Sequence, residues 1–225
     1  MELSNSKYKN IGIHALTTIF TVDHGVFKVL LIKRKNEPFK NHWALVGGAM
    51  YNDEKVMDAA KREIREKTNL KDIDLTMVQI FDDINRSPLQ RMICFSFVGT
   101  IDIEKANILK ETTKTSDAQW FTLEEIPKEL AYDHKVILNS TVDEIKKMVM
   151  TSNILKQLYP NGFTLPEIQK VYETVLGKEL DRRNFRKKLL SSGLIIDTNK
   201  TKNFAGKKPA KLYIFKKENL NKIIF

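Results

Sequence analysis

The stretch "WALVGGAMYNDEKVMDAAKREIREKTNL", residues 43–70, narrows the fold more than any other part of the chain. Its apolar start reads as a strand, and Gly47-Gly48 as the loop that leaves it. From about Asp53 to Lys67, Val56, Ala59, Ala60 and Ile64 recur at helical spacing, with charges on the opposite side. Asn69 stands where a left-handed C-cap would end that helix. Glu63 and Glu66 lie one turn apart and share a face. Such a carboxylate patch suits a hard cation such as Mg²⁺, which takes oxygen ligands. The position that would complete the patch, four residues after Glu63, carries Lys67.

An ammonium at that place can pair with Glu63. It removes a ligand and, at about 4 Å, repels a divalent ion by several kcal/mol even at an effective dielectric of about 20. The same charge attracts a diphosphate. The competing reading sends the long lysine stem to solvent and lets Mg²⁺ bind the remaining glutamates.

Around this stretch the first half alternates strand and helix signals. "IHALTTIFTV", "FKVLLIKR" and "RMICFSFVGTI" are β-branched and aromatic runs, with a turn at Asp23-His24-Gly25. "DAQWFTLEEIP" reads as a late strand running into a short helix, and residues 133–150 as a longer helix. An α/β (α+β) unit with a mixed sheet between helices is expected over residues 1–150, and a second domain over 151–225.

Charge separates the two parts sharply. Residues 151–225 hold 16 Lys/Arg against 6 Asp/Glu, whereas residues 1–150 hold 22 of each. The whole excess of +10 therefore sits in the last third, which points to a polyanion partner. There "FTLPEIQKVYETVLG" opens with a capping box, Thr164 and Glu167, and ends on Gly177. Asp181 can cap a second helix. On it Phe185, Leu189 and Leu190 cluster on one side, while Arg183, Asn184, Lys187 and Lys188 fall on the other beside Arg182.

That is the layout of a helix-turn-helix whose second helix enters the major groove. Two short apolar runs, "GLIID" and "KLYIF", follow as a wing, and the turn between them contains Lys200, Lys202, Lys207 and Lys208. Double-stranded DNA is the expected partner. The bland alternative is a helical bundle with a solvated charged face. A membrane is not expected, because the helices lack large exposed apolar residues.

The remaining signals are plain. Cys94 lies in an apolar run and reads as a buried strand residue of a reducing compartment. The start "MELSNSKYKN" has no apolar core for a secretory signal, so a cytoplasmic protein is expected. His14, His24, His42 and His134 have no ligand spacing. Trp43 suits either ring stacking or the core.

The first helix and its loop resemble the Nudix box. Gly48, Glu54, Arg62, Glu63, Ile64, Glu66 and Leu70 stand at box positions, while Lys67 and Asn69 replace a glutamate and a glycine. With "AYDHKVIL" and the basic third, nearly the whole chain is similar to the Nudix-related transcriptional regulators, in which a Nudix-like sensor precedes a winged helix. The resemblance implies a homodimer that binds an operator and senses ADP-ribose, a related NAD metabolite or a sugar. "NRSPLQR" keeps Arg86, Pro88 and Arg91 of a family motif, with Ser87, Leu89 and Gln90 in place of other residues.

Ligand contacts are accordingly expected from Arg34, Arg62, Glu63, Glu66, Arg86 and Arg91. DNA contacts are expected from Arg182, Arg183, Asn184, Lys187, Lys188, Lys207 and Lys208. This reading requires no cofactor and no catalytic residue. The rival is an active Nudix hydrolase of a nucleoside diphosphate derivative, with Mg²⁺ held by Glu63 and Glu66 and the residual box formed by Gly48, Glu54 and Arg62.

Overall fold

The sheet is organised by "GIHALTTIFTVD", which forms β1 (Gly12–Asp23) and is buried along most of its length. One edge of β1 pairs in parallel with β6 (Met92–Thr100). The other edge is shared between two antiparallel partners. β4 (Val46–Ala49) takes its first half, and β2 (Val26–Arg34) takes its last residues. β1 and β2 therefore diverge, and β3 (Trp43–Ala44) and β4 enter between them. β5 (Leu75–Phe81) continues the sheet beyond β6, and β7 (Thr115–Thr122) lines the far edge of β2. The expected mixed sheet is present. The computed structural model describes residues 11–203 and 208–216.

The two-residue period of β1 gives each face its helix. Ala15 packs with Ala59 and Ala60 of α1 (Val56–Thr68), and Ile19 joins Val46 and Ile64. On the opposite face Leu16 and Phe20 share a core with Ile137, Leu138 and Ile145 of α2 (His134–Thr151). There Thr18 and Thr141 exchange a hydrogen bond of 2.8 Å. Asn69, at φ 64°, ends α1 as expected. The short helix expected after β7 is instead a turn. The Thr122 and Glu125 side chains bond each other's backbone N–H, and Pro127 follows.

Past Ser152, the C-cap of α2, a 3₁₀ turn over Ile154–Leu158 leads to α3 (Leu165–Leu176) and α4 (Arg182–Ser191). The capping box forms, with Thr164 N–H donating to Glu167 Oε2 at 2.7 Å. Gly177 closes α3 at φ 66°, and Asp181 accepts from Asn184 N–H. Leu190, expected beside Leu189, lies about 100° further round the helix and is exposed. The wing is the hairpin β8 (Ile195–Lys202) and β9 (Ala210–Phe215), and Phe163 bridges to Tyr213 ahead of α3.

The two parts do not hang apart. One apolar cluster runs from Phe20 and Phe27 through Ile145 and Leu158 to Ile168, Tyr172, Phe185 and Phe215. Thr174 Oγ1 on α3 lies 2.9 Å from Gly25 O in the β1–β2 turn, and Lys156 pairs with Asp74 at 3.3 Å. Among the described residues no helix is long and apolar enough to cross a membrane.

Candidate functional site

β4 lies so close to α1 that a Cβ on Gly48 would run into the Glu63 carboxylate, which explains the glycine. Arg62 is spent on shaping the loop between them. Its Nε donates to Glu54 Oε2 at 3.0 Å, and its Nη2 to Glu54 Oε1 at 2.7 Å and to Ala49 O at 2.9 Å. Its Nη1 donates to Glu63 Oε1 at 2.6 Å. The guanidinium also sits 3.9 Å from the centre of the Tyr51 ring. The hydrogen bonds from Arg62 hold the Glu54 carboxyl down at about 2, so it is ionised at any physiological pH.

Lys67 does not reach solvent. Only 9% of the residue is exposed, its Nζ donates to the Gly47 carbonyl, and it stands 3.1 Å from Glu63 Oε2. The solvent-pointing alternative is therefore set aside. Burial lowers the Lys67 ammonium below the ordinary lysine value, and Glu63 opposes that shift. Burial works to raise Glu63, yet Lys67 and Arg62 carry it below the usual carboxylate value.

A second lysine, which the sequence did not signal, completes the cluster. Lys114 Nζ, from the loop before β7, lies 3.0 Å from Glu66 Oε2 and 3.9 Å from Glu63 Oε1. Among the described residues no three His, Cys, Asp or Glu side chains converge to hold a metal ion. The donor set therefore does not fit Mg²⁺: an ammonium sits on the carbonyl and the carboxylate a cation would need.

Arg34 at the end of β2 stacks over Tyr132 at 5.1 Å and donates to Pro38 O. Arg86 is turned inward, its Nε and Nη2 clasping both oxygens of Asp133 at 2.9 and 2.8 Å. Arg91 donates to the carbonyls of Asp82 and Asp83 and closes its own loop. A groove of about 740 Å³ runs beside them, lined by Phe39, Phe81, Arg86, Pro88, Tyr132 and Val136.

His14 lies where the charges of Arg86, Lys67, Glu63 and Arg34 all act. Burial is the main cause that brings it to about 4. His134, fully inside, accepts the Leu45 N–H and is likewise kept neutral by burial. The charges of Arg34, Glu63, Lys67 and Arg86 thus all act on one half-buried histidine. Trp43 packs edge-on against Phe121 at 4.8 Å.

The second surface is basic. Arg182, Arg183, Asn184, Lys187 and Lys188 are exposed on α4 around the buried Phe185 and Leu189. Arg186, which the helical pattern did not place on that face, is exposed with them. On the wing Lys200 and Lys208 are exposed, whereas Lys202 is tied back to Glu167 at 2.9 Å. Lys207 lies outside the described residues.

Comparison with known proteins agrees with both halves. Residues 14–140 match the NUDIX domain, and residues 155–215 match the NrtR DNA-binding winged helix domain. An ADPR responsive transcriptional repressor, NtrR, of Acinetobacter baylyi is 32% identical over 200 residues, covering 88% of this chain and 79% of that one. An ADP-ribose pyrophosphatase of Methanocaldococcus jannaschii is 37% identical over 111 residues, covering 49% of this chain and 63% of its own. Among solved structures, Shewanella oneidensis NrtR complexed with a 27mer DNA superposes with a TM-score of 0.80 at 25% identity, over 91% of this chain and 93% of that one.

Proposed function

The chain belongs to the NrtR family, a Nudix domain followed by an NrtR winged helix, and from that premise we propose that it is an ADP-ribose-responsive transcriptional repressor acting in the cytoplasm. The observation that carries this reading is the pairing of a basic, exposed α4 face with a box whose cation position is taken by Lys67. Similarity to a repressor named as ADPR responsive, over most of both chains, supports the ligand. The hydrolase reading draws on the pyrophosphatase relative, which matches only half of the chain. The buried Lys67–Glu63 pair weighs against it, because hydrolysis of this kind needs a metal bridging diphosphate oxygens.

The ligand site and the DNA surface are connected through β2. Its Arg34 end faces the charged cluster, and the turn at its other end touches Thr174 of α3. A ligand that shifts this strand would move α3 against the operator, and release follows if the ligand prefers the shifted state. Two copies on a palindromic site double the base contacts of one small winged helix, so the DNA-bound species is a homodimer.

The test is an operator-binding assay with ADP-ribose titrated in. Full-length protein should bind its promoter DNA as two chains per site and be released by ADP-ribose. Undiminished DNA binding at saturating ADP-ribose would overturn the ligand, and one chain per operator by light scattering would overturn the dimer.

Within that assay the basic residues should divide by role. Arg183→Ala should weaken operator binding by about 1–3 kcal/mol while hardly changing random DNA, as expected of a base contact. Lys208→Ala should weaken both alike and make the salt dependence about one unit shallower, as expected of a phosphate contact. Equal losses on both DNAs from Arg183→Ala would place that side chain on the backbone.

A further inference from the structure

The box helix carries its own counter-charges. Three carboxylates, Glu54, Glu63 and Glu66, face three protein cations, Arg62, Lys67 and Lys114, so the cluster is close to neutral without any ion. The three cations are not equivalent. Arg62 has its donors committed to Glu54, Glu63 and Ala49 O. Lys67 is pinned between the Gly47 carbonyl and Glu63, with its side chain 11% exposed. Lys114 is held only by ion pairs, its side chain is 42% exposed, and its main partner Glu66 is 36% exposed. An exposed pair of this kind is worth little and exchanges partners readily.

We infer that Lys67 and Lys114 replace the divalent metal of this site, Lys67 as a fixed cation in the metal's place and Lys114 as a mobile one that leaves Glu66 to grip the ligand's diphosphate. The inference rests on the reading of this domain as a sensor of ADP-ribose. It adds that recognition needs no metal and that Lys114 is a specificity-determining residue.

The chemistry favours this division of labour. An arriving diphosphate finds each cation of this cluster already paired with a carboxylate until one is freed. Freeing Lys67 would leave Glu63, only 4% exposed at its side chain, with Arg62 on Oε1 and no cation beside the buried Oε2, and that is costly. Freeing Lys114 leaves Glu66 in contact with water, which costs far less. Movement of Lys114 also shifts the segment between Thr112, whose hydroxyl accepts the N–H of both Lys114 and Thr115, and β7, which pairs with β2. Ligand capture is thereby linked to the strand that reaches the winged helix.

Calorimetric titration of the full chain with ADP-ribose, in EDTA and again in Mg²⁺, is the direct experiment, joined by Mn²⁺ binding read by electron paramagnetic resonance. Wild type should bind ADP-ribose equally in both buffers and take up no stoichiometric Mn²⁺. Lys114→Met should weaken ADP-ribose by about tenfold or more, as loss of a charge-assisted bond implies, while Lys110→Met, an exposed lysine of the same loop, should leave affinity unchanged. Lys67→Glu should gain Mn²⁺ binding.

Loss of ADP-ribose binding in EDTA, tight Mn²⁺ binding by wild type, or a Lys114→Met protein of unaltered affinity would each overturn the inference. If Lys67→Glu does not fold, the Lys114 comparison and the wild-type Mn²⁺ measurement still decide. Absence of any ADP-ribose heat in either buffer would instead remove the ligand reading itself, and the Mn²⁺ result would still judge the cation replacement.

Discussion

Arg86→Ala should lower the stability of the protein by about 3 kcal/mol, the range for a charge-assisted pair broken in a mostly buried place. Arg86 is 6% exposed, and it binds both oxygens of Asp133, the residue that precedes α2. Removing the guanidinium leaves that carboxylate about one-fifth exposed and without the partner it was folded around. For a chain of this size the loss should appear as a fall in Tm of roughly 6–12 °C. Arg86→Lys should recover only a minor part, because a point charge cannot reproduce two parallel bonds.

The pair also joins the loop over residues 82–91 to the start of the helix that leads towards the DNA-binding part. The variant should therefore still bind operator DNA in the cold, yet respond less to ADP-ribose. Urea unfolding gives the first number and the release assay the second. A variant within 1 kcal/mol of wild type would show that solvent replaces the pair at little cost.

How much of this was readable from the chain depends on how far apart the interacting residues lie in it. The capping box of Thr164 and Glu167, the Asp181 cap, the Gly177 stop and the Asn69 cap are local devices, set by residues three or four apart, and all of them form. The basic α4 face was equally legible, because helical period and charge settle it, and the exposed Arg186 extends it within the same run. The pairing of Lys67 with Glu63 followed from their spacing. Its burial did not, since the Gly47 carbonyl that holds the ammonium lies 20 residues earlier on another element.

Lys114 was out of reach altogether. It stands 48 residues from Glu66 in a loop with no periodicity, and a single lysine there carries no signal. The motif points Arg86 at a ligand, but its partner Asp133 lies 47 residues away, and only the fold shows the side chain turned inward. Expectation failed where a local rule met a stronger local competitor. After β7, reciprocal Thr122–Glu125 bonds and Pro127 close a turn where the apolar pattern suggested a helix.

Phe185→Ala should be the most damaging single change in the DNA-binding part, at about 3–5 kcal/mol. The ring is 1% exposed and meets Tyr172 of α3 nearly edge-on, with centroids 5.3 Å apart. Together with Leu189 it is what seats α4, whose other side chains are largely exposed. A cavity there lets the helix roll, and a small roll displaces Arg183 and Asn184 from any base edge while leaving the basic charge in place. Operator affinity should therefore fall by at least about tenfold at temperatures where the protein is still folded, with random-DNA affinity falling less. ADP-ribose binding, proposed above for the Nudix half, should hold. Because the same apolar cluster continues to Phe20 and Phe27, the loss should propagate. Calorimetry should show one unfolding transition in both proteins, displaced downward in the variant. Two separated transitions would mean that the winged helix melts on its own, and that ligand binding reaches the operator through the Thr174–Gly25 contact and the chain connection rather than through a shared core.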